Sequence, residues 1–243
     1  MDVMAIASIG MQADLARMES ISHNTANALT PGYKRQVSVS SGFSVELSAA
    51  GSALKLHAQS PLDRLPSVAI DPAAGALRPT GLATDVAIEG PGFFEVNTPD
   101  GIAYTRQGNL RADSQGKLVT GNNFTIGGAG GALRVTNAPF SVSPAGDITQ
   151  DGRVIGRLKV VHFASPQNMI PRGAGLYVPG TAQQQENQPA AALRIGFLEG
   201  SNVNTPHEMV RLTETVRHFE SLQKIVQGYD ESLEKTIRKL GEF

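Results

Sequence analysis

The sequence predicts an α+β chain in which two terminal helices flank a central all-β domain. Three observations carry that prediction. Apolar residues recur at helical spacing from Asp2 to about Leu29 and stop at Thr30-Pro31-Gly32. Short apolar runs separated by turn residues fill the middle of the chain. Behind a helix-start signal at Thr205, one periodic pattern then runs almost to the end of the 243 residues.

In the first helix, Met4, Met11, Leu15 and Met18 form one stripe and Ile6, Ile9, Ala13 and Ala16 a second. Two stripes imply burial on more than one side. Pro31 disfavours helical geometry at Thr30 and cannot continue the ladder, and Gly32 permits a left-handed turn. Asn24 and Asn27 weaken the last turn because their amides compete for backbone partners. Residues 30–67 have no clean period and read as an extended connector with one or two short strands.

From Val68 to about Val203 the pattern is that of a β domain. The expected strands include Asp85–Glu89, Phe93–Val96, Ile102–Arg106, Lys117–Thr120, Phe124–Ile126, Leu133–Val135, Phe140–Val142 and Asp147–Thr149, with Val154–Phe163 as the longest candidate. Asp100-Gly101 and Asp151-Gly152 read as hairpin turns. Strands this short with turn signals between them indicate a sandwich or barrel-like architecture. Gly127–Gly131 reads as a flexible β turn, and residues 179–191 as a polar, mobile loop.

Thr205-Pro206-His207-Glu208 has the form of a capping box with Pro at the first helical position. Behind it Met209, Leu212, Val216, Phe219, Val226, Leu233, Ile237 and Leu240 fit a seven-residue repeat, widened by Leu222, Ile225 and Tyr229. About 35 residues at 1.5 Å each make a rod of roughly 50 Å, longer than a small β domain needs. Such a helix suggests a coiled coil. Residues 1–29 and 204–243 are therefore expected to form a discontinuous, coiled-coil-like helical domain around the connector (30–67) and the β domain (68–203). Either the helices pack on each other or on copies of themselves. Apolar stripes left in water would be an aggregation hazard, which favours self-assembly; the isolated chain is expected to be a monomer with partly disordered ends, because the stripes lack partners until assembly.

The composition excludes several classes. With a net charge of −1 and a pI near 6.5, and with scattered cations, the chain lacks the basic footprint of a nucleic-acid binder. The absence of cysteine removes disulfides, thiolate zinc sites and Cys nucleophiles. No apolar run is long enough to span a membrane, and the first twenty residues lack the basic start of a cleaved signal peptide. No serine-hydrolase elbow or P-loop is present. Gly127–Gly131 lacks dinucleotide-binding spacing. His207-Glu208-Met209-Val210-Arg211 begins like a zinc-protease motif but has Arg where the second His is required. His207 and His218 lack a third ligand. No cofactor, metal or catalytic residue is expected. Asp85, Glu89 and Glu95 leave one alternative open, a carbohydrate-binding or carbohydrate-active β domain with a coiled-coil oligomerisation tail.

Three segments resemble one family. Ile21-Ser-His-Asn24-Thr-Ala-Asn27-Ala-Leu-Thr-Pro31-Gly32-Tyr33-Lys34-Arg35 is similar to the N-terminal signature of bacterial flagellar rod and hook proteins. Asp85-Val-Ala-Ile-Glu-Gly-Pro-Gly-Phe-Phe, Tyr104-Thr-Arg-Gln-Gly-Asn-Leu and Gly116-Lys-Leu-Val-Thr resemble that family's β core. Leu198-Glu199-Gly-Ser201-Asn202-Val203-Asn204 and the helix behind it resemble its C-terminal signature. The chain length suits a rod protein, of the proximal FlgF type first and the distal FlgG type second.

The resemblance implies a non-enzymatic structural subunit. Its terminal helices would form an inner layer around a central channel and its β domain would face outward. It would be exported by the flagellar type III apparatus without a cleaved signal peptide and assemble in the periplasm into the drive shaft and export channel. Its partners would be copies of itself and other rod, hook-side and export-gate proteins. The candidate assembly interface then comprises Met4, Met11, Leu15, Met18, Asn24, Asn27, Pro31, Gly32 and Tyr33 at the first end. At the other end it comprises Glu199, Ser201, Asn202, Val203, Asn204, Met209, Leu212, Val216, Phe219, Leu222, Val226 and Leu233. Asn24 and Asn27 would satisfy loose backbone ends at the exit, and Asn202 and Asn204 would tolerate unusual dihedrals on the return. Lys34 and Arg35 read either as bridges to acidic groups on neighbours or as a solvated pair.

Overall fold

The computed structural model describes residues 3–39, 67–136, 138–185 and 192–240. It is α+β, with a mostly β central region between two helices, α1 (Val3–Ala26) and α2 (Thr205–Leu240). The chain divides into two compact units. Among the described residues a helical unit holds 3–25, 37–39, 67–68 and 205–240, and a β unit holds 26–36 together with the rest of 69–204. Of the connector and loop expected from the sequence, residues 40–66 and 186–191 lie outside the described residues.

In the helical unit α1 and α2 run antiparallel. Leu222 closes on the bare backbone of Gly10, where an added Cβ would stand 2.9 Å from its Cδ1. The Asp14 carboxylate lies 2.6 Å from His218 Nδ1, and Asn24 Nδ2 donates to Glu208 at 3.1 Å. As one residue number rises from 10 to 14 to 24, its partner falls from 222 to 218 to 208. Of the two alternatives open in the sequence, the helices pack on each other within one chain. Helix α2 begins at Thr205 rather than at Pro206, which puts the entry position on Asn204. Glu208, expected to reach back to the cap, is buried and accepts from Asn24 of α1.

The β unit is built on a sheet in the order β15 (Ile170–Gly173), β16 (Leu176–Val178), β6 (Gly101–Thr105), β5 (Phe93–Thr98), β9 (Thr125–Gly128), β8 (Leu118–Thr120), β7 (Leu110–Ala112). Off this path β10 (Gly131–Ala132) pairs with β9, and β14 (Val160–Phe163) pairs with β5 and with β17 (Gln184–Gln185). A meander of β11 (Phe140–Val142), β12 (Asp147–Gln150) and β13 (Arg153–Arg157) packs beside it. Two antiparallel pairs complete the unit, β4 (Val86–Glu89) with β18 (Ala192–Ile195) and β3 (Leu77–Pro79) with β19 (Phe197–Glu199). Strands β1 (Gln36–Val39) and β2 (Ser67–Ile70) form a separate pair.

The side-chain period of two explains why this sheet is covered on both faces. Phe94, Val96, Ala103 and Leu176 enter one core with Val86, Leu118, Ile126 and Ile148. Their neighbours in sequence, Phe93, Tyr104 and Tyr177, enter a second core with Phe163 and Met169. The second core is aromatic, with Phe93, Phe163, Tyr104 and Tyr177 meeting edge-on at centroid distances of 4.9 to 6.0 Å. Each buried Phe contributes roughly 1.5–3 kcal/mol, so the β unit has a substantial core of its own.

Both expected hairpins form, the first with its turn on Pro99-Asp100 rather than Asp100-Gly101, because Gly101 already pairs with Thr98. Asp151 and Gly152 take positive φ of 50° and 74° between β12 and β13, the geometry of a two-residue type I′ turn. The strand expected over Val154–Phe163 is two strands. The chain turns Leu158 into the first core and changes partner from β12 to β5, so β13 and β14 belong to different sheets. Leu133–Val135 is not a strand; Leu133 and Val135 are buried in the first core, and Arg134 makes a lone bridge to Lys117. The glycines at 127–131 are the end of β9, a tight turn and the start of β10. The expected loop after residue 179 contains β17, laid against β14.

Candidate functional site: a buried clasp and an inverted helix pair

In the β unit the chain's two crossings, 32–35 and 199–202, are fastened to each other. Gly32 N–H donates to Glu199 O at 2.8 Å and Asn202 N–H to Tyr33 O at 3.4 Å. Arg35 N–H donates to Asn202 Oδ1 at 2.7 Å, and the Asn202 amide donates to Asp71 O and Ala73 O. Asn202 thus takes up backbone groups from two segments, as its place in a return path would require. Gly32, at φ +68°, lies so close to the backbone of Arg106 that an added Cβ would stand 2.4 Å from its carbonyl carbon.

At the centre of this junction is an ionic cluster. Lys34 Nζ lies 2.6 Å from Glu199 Oε1, and Arg106 Nη1 lies 3.0 Å from Oε2. All three side chains are at least 96% buried. Charges are kept inside only with partners, and here the partners are complete on the anion. Gly75 N–H also donates to Glu199, while Lys34 donates to Ala73 O and Arg106 to Gly90 O. The Arg106 guanidinium lies 5.2 Å from the Phe93 ring centroid, and the Tyr177 hydroxyl accepts the Lys34 backbone N–H at 2.7 Å. The cluster is therefore seated on the aromatic core.

Burial pushes the Lys34 ammonium below the ordinary lysine value; the Arg106 charge adds to this and Glu199 opposes it. Burial also lowers Arg106 against the pull of Glu199, and raises the Tyr177 phenol well above its usual value. Neither sequence alternative for Lys34 holds: it is neither solvated nor turned to a neighbour, because its partner is Glu199 of the same chain.

The Tyr177 phenol gives a testable pH dependence. Its folded value is raised, so the stability it contributes is complete below the unfolded value of about 10 and is lost as pH rises above it, by up to ~1.4 kcal/mol per pH unit. Lys34, lowered on folding, acts with the opposite sign through the window below about 10.4. Comparing the wild type with Tyr177→Phe isolates the phenol. The variant is expected to be less stable at pH 7 by about 1–3 kcal/mol, with the gap narrowing between pH 10 and 11 in denaturant titrations. A gap constant from pH 8 to 11 would contradict the assignment.

The helix pair is inverted relative to its sequence pattern. The residues most deeply buried on α1 include Asp14, Ser20, Ile21 and Asn24, and those on α2 are Glu208 and Thr215. Asp14 is held by Arg17 and His218. The large apolar side chains are on the outside: Leu15 is 53% exposed and Met209 59%, and Ile6, Ile9, Leu212, Ile225, Leu233 and Ile237 are exposed as well. Of the other candidate interface residues, Met4, Met11, Met18, Val216, Phe219, Leu222 and Val226 are half-buried. Asn27, Pro31, Ser201, Asn202 and Val203 are also half-buried, and Asn204 is exposed. Asn24, Gly32, Tyr33 and Glu199 are buried within the chain itself.

Sequence reasoning missed Arg106 and the role of Lys34. The available signal was an unpaired Lys in one terminal signature and an unpaired Glu in the other. The carboxylates of the carbohydrate alternative form no catalytic pair. Asp85 is buried, Glu89 exposed at the end of β4, and Glu95 is on another sheet in an ion pair of 2.8 Å with Lys159.

A self-contained β unit whose two crossings are locked together, with a helix pair that buries polar groups and shows apolar ones, defines a structural assembly protein. Residues 194–239 match the family model described as flagellar basal body rod FlgEFG protein C-terminal, and residues 87–156 the one described as flagellar hook protein FlgE/F/G D1 domain. The flagellar basal-body rod protein FlgG of Bacillus subtilis is 32% identical, covering 94% of this chain and 95% of its own. The FlgF rod proteins of Mesorhizobium japonicum and Caulobacter vibrioides are each 28% identical, covering 99% and 100% of this chain and 98% and 100% of theirs. The chain belongs to the flagellar basal-body rod FlgE/F/G family. It is a structural rod subunit, not an enzyme. Among the described residues no helix is long and apolar enough to cross a membrane.

Proposed function

We propose that the chain polymerises helically in the periplasm through the outward faces of α1 and α2, against copies of itself and neighbouring rod, hook-side and export-gate proteins. The product would be the drive shaft and its central export channel. One observation supports this above others: the two helices bury hydrogen-bonded polar groups against each other and leave Ile6, Ile9, Leu15, Met209 and Leu212 outside. In a chain that worked alone the arrangement would be reversed. Coiled-coil packing would then arise between subunits, and a heterologous contact that does not close generates a filament. Residues 1–29 and 204–243 are the assembly helices of this proposal, 30–67 the connector and 68–203 the outward domain. The type III export apparatus, without cleavage of the chain, is the route this reading implies. Buried Asn24, Gly32, Tyr33 and Glu199 serve it by fixing the shape that presents the exposed residues.

Leu15→Asp and Met209→Asp test the faces. Each is expected to change the stability of the isolated chain by no more than about 0.5 kcal/mol and to abolish incorporation into rods in a motility and basal-body purification assay. Deleting residues 205–243 is expected to leave the β unit folded, because both of its cores lie within it, and likewise to abolish incorporation. Assembly by the truncated chain would refute the proposal. The near end-to-end match to the FlgF relatives supports the proximal type, although the FlgG relative is the more identical. Complementation of strains lacking one or the other rod protein decides between them.

A further inference from the structure

We propose that the Lys34–Glu199–Arg106 clasp is a closing device: the exit segment 32–35 is seated only when the return segment 199–202 is in place, so that both chain crossings become fixed together, after the rest of the β unit. The backbone amides of Gly32 and Arg35, at the two ends of the exit segment, show why. Gly32 N–H depends on Glu199 O, and Arg35 N–H on Asn202 Oδ1. In the other direction, Asn202 N–H depends on Tyr33 O. Neither segment satisfies its buried polar groups without the other. Without Glu199 the site would hold two buried cations with only the more weakly felt Asp71 to balance them, a state strongly disfavoured inside a protein. Lys34 in particular has no reason to leave water until Glu199 is there to receive it.

The order follows from chain separation. The clasp joins residues 165 apart in sequence for Lys34 and Glu199 and 167 apart for Arg35 and Asn202. The β5–β6 hairpin turns at Pro99-Asp100 with paired residues Thr98 and Gly101. Closing a long loop costs more chain entropy than closing a short one, so contacts of high separation form late unless a strong local preference intervenes. The clasp is polar and has no such preference. The device thus makes completion of the β unit conditional on nearly all of it having been made. It seats the two segments by which the chain enters and leaves the β unit, 32–35 and 199–202, only as a pair.

The experiment is hydrogen exchange on the full chain. In pulse-labelled refolding, the amides of Phe94, Val96 and Tyr104 are expected to gain protection first. Those of Gly32, Lys34, Arg35 and Asn202 should follow later and with one common rate. At equilibrium, the Glu199→Gln, Asn202→Ala double variant is expected to exchange Gly32, Lys34 and Arg35 roughly a hundredfold or more faster than the wild type, while Phe94 and Val96 stay protected. Protection of 32–35 with or before the β5–β6 hairpin would overturn the proposal. So would a double variant in which 32–35 remain as protected as in the wild type. Equal loss of protection throughout the β unit would also overturn it, since the clasp would then be part of the core rather than a separate closure.

Discussion

Glu199→Gln lowers the stability of the closed clasp by about 3–5 kcal/mol, read from the exchange of the 32–35 amides, the expected cost of removing one partner from a buried charge network. The glutamine keeps the volume and can still accept hydrogen bonds, but it leaves Lys34 and Arg106, both buried, without the anion they share. Lys34 can relieve part of this by releasing a proton, since burial already pushes it in that direction. Arg106 has no such exit, because a guanidinium stays charged in proteins. A second variant separates charge from packing. Lys34→Met in the wild type removes one of two cations and leaves Glu199 paired with Arg106, so its cost is expected to be smaller than that of Glu199→Gln. If Glu199→Gln proved no worse than Lys34→Met, the view of Glu199 as the shared anion would be wrong.

Gly32→Ala is expected to cost about 2–5 kcal/mol, from two separable causes. A non-glycine residue at φ +68° carries roughly 1–2 kcal/mol of backbone strain. Its Cβ would also meet the Arg106 carbonyl carbon, its oxygen and the Gln107 nitrogen at 2.4, 2.6 and 2.7 Å, and forcing atoms into a packed interior adds roughly 1–3 kcal/mol. Those are backbone atoms, which cannot swing aside as a side chain would. At Gly10, by contrast, the added methyl would meet the tip of Leu222, which can turn away. Gly10→Ala is therefore expected to be much milder than Gly32→Ala when their unfolding midpoints are compared. Equal shifts would mean that the exit turn is looser than its geometry indicates.

Both variants act on the junction where the chain leaves the β unit, and this is also where the sequence was least readable. Tyr33, Lys34, Glu199 and Asn202 were legible as members of two terminal signatures. That they form one buried cluster was not, because a pair 165 residues apart leaves no local period to detect. Arg106 sits inside a recognisable β-core segment, yet an arginine after a strand is on average a solvated residue. The contacts between the helices were hidden for a related reason. The seven-residue repeat of Met209, Leu212 and Val216 was a correct count of apolar positions. Beside them stand Glu208, which meets Asn24 of α1, and His218, which meets Asp14, polar contacts that an apolar period does not report. Val154–Phe163 looked like one strand because strand propensity is local, whereas the change of partner at Leu158 is set by two different sheets.

Taken alone, the order of residues determined the α+β class, the two helices, the two hairpins and membership of a rod and hook family. Each of these depends on periodicity, turn chemistry or a contiguous motif, all of which act over a few neighbouring residues. Tertiary structure decided which helix face is inward, where the long strand breaks, and that a lysine, an arginine and a glutamate from three distant segments share one buried site. Those outcomes depend on which groups meet after the chain has closed, and burial and pairing energies are properties of that meeting rather than of any one segment.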